Sequence, residues 1–535
     1  MNRKDFLKSS LILSSGIPFM GCTSPKQAIT IQNKRSTDIA HLLPTVNHNR
    51  LLLTASFKRP ISNPRLTISQ KSVHGTPRDS RGFFWIFDCD GLEANTTYDL
   101  QLFEDKESLN DSWQLKTFPK PTDNADHLRL LVYTCAGGHP LGRDLYQTAY
   151  KESREQFVKR RIALLHKGMS FSPDAVVAIG DQIYWDLDEI LPGIPGEGNN
   201  KMAWSEAGKF DESLPILGTP NEAVLKKAID PQIAELYGTI CQSTPVFMLT
   251  DDHDHFENDN ATPTKVTFPP DYFNLKLARV AQGMYWPEFL PDANRPIGLS
   301  AANAPDKAKH SSEIYGTLRY GKLAELLMYD CRRFTTLHGP AARFIAPDAE
   351  QWLMNRSADK DVIHTIHVPS LPIGWSAGKW MEWYPDKRND DGNLSKDTDK
   401  YFWQQGWQEQ HDRIIQHVSN QKNKTPVFLQ GDLHTFAAGK IYRSGQLNLE
   451  KNPINACIVG PLGSTAFPSG IRGLKAATPT DIMMQEQFEN VEDTGFSIVD
   501  ITPDNIEINM YRFGNGHEYL IDSGPFQTMK IKRNS

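Results

Sequence analysis

Hydrophobic positions follow two different patterns along this chain, and the change between them comes near residue 121. In residues 43–118, short apolar or alternating runs are separated by Pro, Gly, Asn and Asp. Alternation with a period of two, broken by turn residues, is typical of short β-strands. We therefore predict strands within the runs 50–57, 81–87, 98–103 and 113–118.

The segment Gly91–Leu100 resembles the turn and tyrosine strand of an immunoglobulin or fibronectin type III-like sandwich. We predict a small all-β sandwich of this kind over residues 43–121. The segment 119–123 contains two prolines and suits a linker to the remainder of the chain.

After residue 128 the pattern becomes mixed. An apolar run at 128–133 predicts a strand, the spacing and charge pairs of 150–166 predict a helix, and 171–179 predicts the next strand. Alternating strands and helices are typical of an α/β domain, which we place at residues 122–535. At 535 residues, the chain is long enough for two or more domains.

Two of the predicted strands are followed by residues of types that can bind cations. The strand at 174–179 leads into Asp181, and the strand at 426–430 leads into Asp432 and His434. Ligands in open α/β sheets bind beyond the carboxyl ends of the strands. A simple turn is the alternative at either place, because Gly-Asp often follows a strand for that reason alone.

A third strand, at 245–249, leads into the segment 250–259, in which six of ten side chains can bind a hard cation or move a proton. Crowded carboxylates and histidines repel one another and lose hydration, so a neutralising cation favours this arrangement. A solvated acidic loop is the alternative. Three such strand ends together predict one shared metal site.

Composition narrows the function classes. Hydrophobic residues make up 39% of the chain and charged residues 23%, which is typical of a globular protein. The net charge of −6 gives no electrostatic case for a nucleic-acid-binding surface. The cysteines beyond residue 22 are scattered without a CxxC pair, so neither a zinc knuckle nor a disulfide framework is indicated.

The N-terminus has the pattern of an export signal over residues 1–22. A basic start is followed by the apolar stretch 11–20 and by Gly21-Cys22, which resembles a lipoprotein signal with Cys22 as the acylated residue. The segment 3–8 resembles a twin-arginine signal with Lys in place of one Arg. Cleavage without lipid attachment is the alternative. Residues 23–42 are predicted to be a tether, and the protein to be periplasmic or on the outer surface.

Six short phrases, taken in order, make the chain similar to the PhoD-like alkaline phosphatases and phosphodiesterases, within the wider calcineurin-like metallophosphoesterases. They are Tyr133-Thr134-Cys135, Gly180-Asp181-Gln182-Ile183-Tyr184, Asp251-Asp252-His253-Asp254, Tyr329-Asp330-Cys331-Arg332, Gln351-Trp352-Leu353 and Gly431-Asp432-Leu433-His434. The resemblance implies an α/β calcineurin-like fold, in which two packed β-sheets are flanked by helices, preceded by the small sandwich.

The resemblance also implies a metal-ligand set and its cations. The implied ligands are Cys135, Asp181, Tyr184, Asp252, His367, Asp432 and His434. Thiolate and phenolate ligands favour Fe³⁺, the surplus carboxylates suit Ca²⁺, and other divalent metals are possible. A buried structural role is the alternative for Cys135 and for His367.

Three further residues receive catalytic roles from the resemblance. His253 would donate to the leaving-group oxygen, and Asp254 would orient His253. Arg332 would clamp a phosphate oxygen, with a structural pair between Asp330 and Arg332 as the alternative.

The predicted function is therefore that of an exported, metal-dependent phosphoester hydrolase. Its substrate would be a small phosphomonoester or a lipid or nucleotide diester, and aromatic residues at 375–383 and 401–403 would stack on it or belong to the core. One alternative is a surface lipoprotein whose metal site is structural and whose sandwich domain binds glycans or proteins. Another is a metal-dependent hydrolase of another ester or of a halogenated or sulfated substrate. The oligomeric state does not follow from the sequence.

Overall fold

The computed structural model describes residues 38–138, 154–185, 207–255, 272–291, 314–335, 341–377, 405–463, 476–477, 482–513 and 522–534. These residues all belong to one compact unit that starts at residue 37. None of the helices they form has the length and apolar character needed to cross a membrane.

The first nine strands form an all-β unit of two antiparallel sheets. One sheet has the order β1-β2-β6-β5, and the other has the order β4-β3-β7-β8 with β9 also paired to β7. The strands are β1 (Ile39–Val46), β2 (Leu51–Phe57), β3 (Pro64–Ile68), β4 (Lys71–His74), β5 (Thr76–Pro77), β6 (Phe84–Cys89), β7 (Thr97–Glu104), β8 (Glu107–Ser108) and β9 (Trp113–Lys116).

The four strands predicted for this unit are present as β2, β6, β7 and β9. The strand β1 begins at Ile39, inside the segment 23–42 that was predicted to be a tether. That prediction is wrong for residues 39–42, because β1 pairs along its length with β2 and is mostly buried. In the predicted tyrosine turn, the backbone N–H of Glu93 donates to the Tyr98 hydroxyl at 2.7 Å.

Two larger mixed sheets follow. Within the described residues, one has the order β12-β11-β10-β23-β24-β25, and the other has the order β13-β14-β15-β17-β20-β18-β19 with β22 paired to β18. The strands are β10 (Leu128–Thr134), β11 (Ala175–Ile179), β12 (Val246–Leu249), β13 (Tyr315–Tyr320), β14 (Ala324–Tyr329), β15 (His364–Pro369), β16 (Ser376–Ala377), β17 (Val427–Gln430), β18 (Phe436–Ser444), β19 (Leu447–Asn448), β20 (Ile454–Val459), β21 (Ala476–Ala477), β22 (Ile482–Glu486), β23 (Gly495–Ile501), β24 (Asn505–Arg512) and β25 (Gln527–Lys532).

Helices cover the outer faces of these sheets. They are α1 (Arg154–Met169), α2 (Pro220–Ile229), α3 (Ala234–Tyr237), α4 (Tyr272–Tyr285), α5 (Pro347–Ala358) and α6 (Gln405–Ser419). The helix α1 overlaps the helix predicted at 150–166. Residues of α1 to α4 pack on one sheet, and residues of α5 and α6 pack on the other.

The inner faces of the two mixed sheets share one apolar core. Val132 and Val177 from the first sheet lie in the same buried cluster as Met328, Val368 and Leu429 from the second. β10, β11 and β12 run parallel, as do β14, β15, β17 and β20, so each sheet brings several carboxyl ends to one edge. The two edges meet, because Thr134 donates to the Gly460 carbonyl at 3.1 Å.

Candidate metal centre

Three predicted ligands lie one or two residues after strands of this shared edge, and all three have a left-handed backbone conformation. The φ angles are 46° at Cys135, 55° at Asp181 and 67° at Asp432. Residues with a side chain adopt this conformation at a cost, and such residues concentrate at functional sites. The conformation turns each chain sharply at the end of β10, β11 or β17 and brings the three side chains to one place.

Glycines allow the strand ends to approach one another. A Cβ atom at Gly180 would lie 2.6 Å from the Asp251 Cβ, and a Cβ at Gly431 would lie 2.4 Å from the Thr134 Oγ1. Real Cβ atoms do not approach other heavy atoms this closely. The two glycines therefore permit the close packing of the ligand-bearing turns.

The first group of converging side chains combines sulfur, oxygen and nitrogen donors. Ligand atoms of Cys135, Asp181 and His434 lie within 4.8 Å of one another. The Tyr184 hydroxyl donates to the Asp181 Oδ2 at 2.9 Å and lies 3.0 Å from the His434 Nε2. The Cys135 thiol donates to the same Asp181 oxygen at 3.3 Å.

Two further groups extend this cluster without interruption. Asp181, Asp252 and His253 form one, and Asp251, Asp252 and Asp432 form the other, each with ligand atoms within 4.8 Å of one another. Asp181 and Asp252 each belong to two groups. A carboxylate has two oxygens and can hold two cations, so this arrangement suits adjacent metal sites.

Burial makes negative charge unfavourable at three members of the cluster, Asp181, Asp251 and Cys135. Burial, together with the neighbouring Asp252, raises the pKa of Asp181 to about 7. Burial also raises the pKa of Asp251 and of the Cys135 thiol well above their usual ranges. Cations bound here would reverse these shifts, because they neutralise carboxylates and hold thiols as thiolates.

The cluster also contains acceptors that the protein itself does not satisfy. The Asp181 Oδ1 and the Asp251 Oδ2 are buried and have no hydrogen-bond partner in the described part of the chain. Buried polar atoms are almost always paired, so these two carboxylate oxygens within a ligand cluster are suited to bind a cation. The donor set and these two oxygens both fit a metal centre.

Arg332 lies beneath the ligands and contacts carboxylates. Its Nε donates to the Asp251 Oδ1 at 2.6 Å, and its Nη2 lies 3.3 Å from the Asp432 Oδ1. The side chain is 1% exposed, which leaves little access for substrate. The guanidinium thus pairs with Asp251 and Asp432, not with Asp330 as the alternative supposed, and the role as a phosphate clamp stays a prediction. Asp330 contributes by accepting from the backbone N–H of Arg332 at 2.6 Å.

Asp254 binds the backbone of two turns that carry site residues. Its two carboxylate oxygens accept from the N–H groups of Ile183 at 2.8 Å and Asp251 at 2.9 Å. The predicted role of orienting His253 is therefore not what these contacts show, because both oxygens are directed at the backbone of the neighbouring turns. Asp254 instead connects the turn after β11 to the turn after β12.

His253 lies within the cluster, next to Asp181, Asp252 and Tyr184. It is 8% exposed, and its ring centroid lies 4.0 Å from that of Tyr184. The structure thus brings His253 beside the predicted ligands Asp181 and Asp252, and its catalytic role stays a prediction.

His367 is not brought to the cluster. In β15 it lies between Ile366 and Val368, whose side chains enter the core between the sheets, so its own side chain faces the opposite side. There the ring stacks on Phe428 with centroids 4.8 Å apart, and the Nε2 lies 2.9 Å from the Ser357 Oγ. We therefore remove His367 from the proposed ligand set.

Several residues of the centre were missed as individual site residues. Asp251 joins the ligand groups, while Asp330 accepts from the Thr250 hydroxyl and lies 3.1 Å from the His255 Nε2. Although burial alone would raise the pKa of Asp330, the adjacent His255 and its hydrogen bonds hold that pKa below the usual range. Both aspartates stood in the quoted phrases. Gln232, which no motif contains, binds the Tyr184 backbone.

Comparisons with known proteins agree with this centre. A family model described as PhoD-like phosphatase matches residues 155–510, which is more than half of the chain. The chain belongs to this family and is therefore a metal-dependent phosphoester hydrolase. No curated protein sequence matches the chain.

Solved structures show the fold. The structure of PhoD matches with a TM-score of 0.56 and 15% identity, covering 94% of this chain and 90% of that one. GAP50, the anchor in the inner membrane complex of Plasmodium, matches with a TM-score of 0.34 and 11% identity over 77% of this chain and 90% of its own. The match to PhoD shows that the two chains share a similar mixed α/β fold.

Proposed function

We propose that the protein is an exported phosphoester hydrolase of the calcineurin-like fold with an Fe³⁺ site and an adjacent Ca²⁺ site. The observation that carries this proposal is the position of Asp181, which belongs to the group containing Cys135 and His434 and to the group containing Asp252. Asp181 is thus shared between a set of ligands that contains the Cys135 thiolate and a set that contains the Asp252 carboxylate. Two such sets suit two different cations.

The chemistry of the donors supports the assignment of the two metals. Cys135, Asp181, Tyr184 and His434 offer a thiolate, a carboxylate, a phenolate and an imidazole, a set that favours trivalent iron over Mg²⁺ or Ca²⁺. Asp251, Asp252 and Asp432 offer carboxylate oxygens, which are ligands for hard cations such as Ca²⁺. Asp181 would contribute to both sites.

Bound cations would supply neutralisation of the phosphoryl oxygens and a water of lowered pKa. The protein's own residues perform the remaining tasks. His253, beside Asp181 and Asp252, donates a proton to the leaving-group oxygen. Arg332 and Asp254 are positioning residues, because they hold the carboxylates and backbone turns on which the ligands lie.

The substrate is proposed to be a small phosphoester, with the choice between monoester and diester open to experiment. Of the predicted aromatic clusters, Trp375 is fully buried and its indole N–H donates to the Glu486 carboxylate at 3.3 Å. Trp375 is thus a core residue. Residues 378–383 and 401–403 lie outside the described residues.

Hydrolysis of p-nitrophenyl phosphate and of bis-p-nitrophenyl phosphate, before and after chelation and metal add-back, tests the proposal. Asp181→Asn is expected to abolish hydrolysis of both. Asp105→Asn is the matched control, because Asp105 is exposed and has a similar φ of 51°. The preferred reagent assigns the substrate class. Hydrolysis that is insensitive to chelation would contradict the proposal, and no turnover by metal-loaded protein would favour the binding-module alternative.

Export is proposed from the signal at residues 1–22, which lie outside the described residues. Mass spectrometry of the mature N-terminus tests it. A chain that begins at a lipid-modified Cys22 supports membrane attachment, a cleaved chain without lipid supports simple export, and an intact N-terminus in the cytoplasm contradicts both.

A further inference from the structure

Gln232 is a fully buried glutamine whose side chain makes four hydrogen bonds to backbone groups. Its Oε1 accepts from the N–H of Gly138 at 3.0 Å and of Tyr184 at 2.8 Å. Its Nε2 donates to the carbonyl oxygens of Tyr184 and Ala228, both at 3.0 Å. These four bonds use both donors and both lone pairs of the amide.

The bonds converge on the two turns that carry the thiol and the phenol. Gly138 lies three residues after Cys135, in the turn that follows β10, and Tyr184 lies in the turn that follows β11. Gln232 fixes both the N–H and the C=O of Tyr184, so it determines the direction in which the Tyr184 side chain leaves the backbone. One side chain therefore ties the two turns together.

Arg161 of α1 reinforces the same connection. Its guanidinium donates to the Ala136 carbonyl at 3.1 Å and to the Pro231 carbonyl at 3.0 Å, and it lies 4.5 Å from the ring centroid of Phe157. Pro231 directly precedes Gln232. The turn that carries Cys135 is thereby held against the segment that positions Tyr184.

The carboxylate group of the centre, Asp251, Asp252 and Asp432, is held in place by other residues. Arg332 contacts Asp251 and Asp432, and Asp254 accepts from the Asp251 backbone. No hydrogen bond of Gln232 within the described residues reaches Asp251, Asp252 or Asp432. A change at Gln232 therefore affects the thiol and the phenol first.

We propose that Gln232 is a positioning residue that sets the separation of Cys135 and Tyr184 and thereby the affinity for a thiolate- and phenolate-binding metal. The inference rests on the proposed Fe³⁺ site. Residues outside the ligand shell that orient ligands typically change metal affinity about 10- to 100-fold. The effect is expected at the iron site and not at the carboxylate site.

The test compares Gln232→Leu with wild type after chelation. Fe³⁺ is titrated against a competing chelator, and the visible absorption of the phenolate complex is recorded. Ca²⁺ affinity is measured separately by calorimetry. Gln232→Leu is expected to bind Fe³⁺ about 10- to 100-fold more weakly, with a shifted or weakened absorption band and a Ca²⁺ affinity within about twofold of wild type.

Gln282→Leu is the matched control. Gln282 is another glutamine, 2% exposed, whose side-chain nitrogen and oxygen have no hydrogen-bond partner among the described residues. It is expected to retain wild-type metal binding. If Gln232→Leu does not fold, Gln232→Asn replaces it, because the shorter amide cannot reach both turns and is expected to give the same selective loss.

The outcomes separate this inference from the proposed function. Wild-type Fe³⁺ affinity and absorption in the Gln232 variant would overturn the positioning role alone. An equal loss of Fe³⁺ and Ca²⁺ binding would also overturn it, because that is the result of a general structural defect. A wild-type protein without phenolate absorption on loading with Fe³⁺ would overturn the proposed ligand set, and the inference with it.

Discussion

At the scale of single residues, Arg332 links the carboxylates of two predicted or candidate metal ligands, Asp251 and Asp432. The guanidinium contacts Asp251 and Asp432 while fully buried. One cation on the protein thus offsets part of the charge that metal ions would neutralise when bound. This makes the stability of the metal-free protein depend on Arg332 more strongly than that of the metal-loaded protein.

Arg332→Met is expected to destabilise the metal-free protein by about 3–5 kcal/mol, the usual result of removing one partner of a buried ion pair. With metal bound, the loss should be smaller, because the cation takes over the neutralisation. Chemical denaturation with and without chelator measures the difference. Arg59→Met is the control, since Arg59 pairs with Asp38 at the surface and its loss is expected to cost less than about 1 kcal/mol. Equal losses with and without metal would contradict this account of Arg332.

The residue types of the site could be predicted from sequence, but several contacts could not. Cys135, Asp181 and Asp432 were placed correctly beside one another because each follows a recognisable apolar strand. His367 also lies in such a strand, but the alternation of side chains directs it to the helix-covered face. Arg332 and Asp254 bind groups that are distant in sequence, and no local pattern encodes those contacts.

At the scale of elements, the site depends on how closely the turns that follow the strands pack against one another. Gly180 has a φ of 69° and lies so close to Asp251 that a Cβ would clash with its side chain. The turn after β11 and the turn after β12 can therefore pack only with glycine at this place.

Gly180→Ala is expected to lower metal affinity roughly 10-fold or more, because the added methyl group separates Asp181 from Asp251. Gly445→Ala is the matched control: Gly445 has a φ of 52°, and nothing lies within 4 Å of a Cβ there. Each substitution should cost about 1 kcal/mol of stability for the left-handed backbone, and Gly180→Ala should cost more because of its clash with Asp251. Calorimetric titration of metal into the two variants distinguishes them, and equal affinities would show that the close approach is unimportant.

Elements with strong apolar runs were predictable, and those defined by long-range pairing were not. β10, β11, β12 and β17 were all anticipated from sequence. The sheet order was not, because β10 pairs with β23, more than 350 residues later, and only tertiary packing fixes that partner. The first mixed sheet therefore contains antiparallel strands that the alternating pattern alone did not indicate.

At the scale of the whole molecule, the N-terminal sheets and the mixed sheets pack closely. Phe118 stacks on Phe247 of β12, and the Asp123 carbonyl accepts from the Lys322 N–H at 2.8 Å. The segment 119–123 was predicted to be a linker, and it does connect the two parts, but the surrounding contacts hold it in place. The predicted division at residue 121 remains a prediction.

His41 connects the two parts and makes stability depend on pH. Its Nε2 lies 2.8 Å from the Tyr285 carbonyl oxygen, and burial lowers its pKa from 6.5 to about 4. In the unfolded chain, His41 therefore takes up a proton near pH 6.5, whereas in the folded protein it does so only near pH 4. The stability that the buried, neutral His41 contributes is fully present above pH 6.5 and is lost as the pH falls towards 4.

The expected loss from His41 is on the order of 3 kcal/mol between pH 6.5 and 4. His41→Gln should reduce this pH dependence, because glutamine does not titrate. Denaturant midpoints measured across this range test the prediction, with His74→Gln at an exposed position as the control. The same pH profile for His41→Gln and wild type would contradict the assignment.

The central claim is that the strand ends form one metal centre organised around Asp181. Elemental analysis of purified wild-type protein, Asp181→Asn and Cys135→Ser tests it most directly. Wild type is expected to contain at least two bound ions, Asp181→Asn to lose both, and Cys135→Ser to lose iron alone. A full complement of metal in folded Asp181→Asn would contradict it.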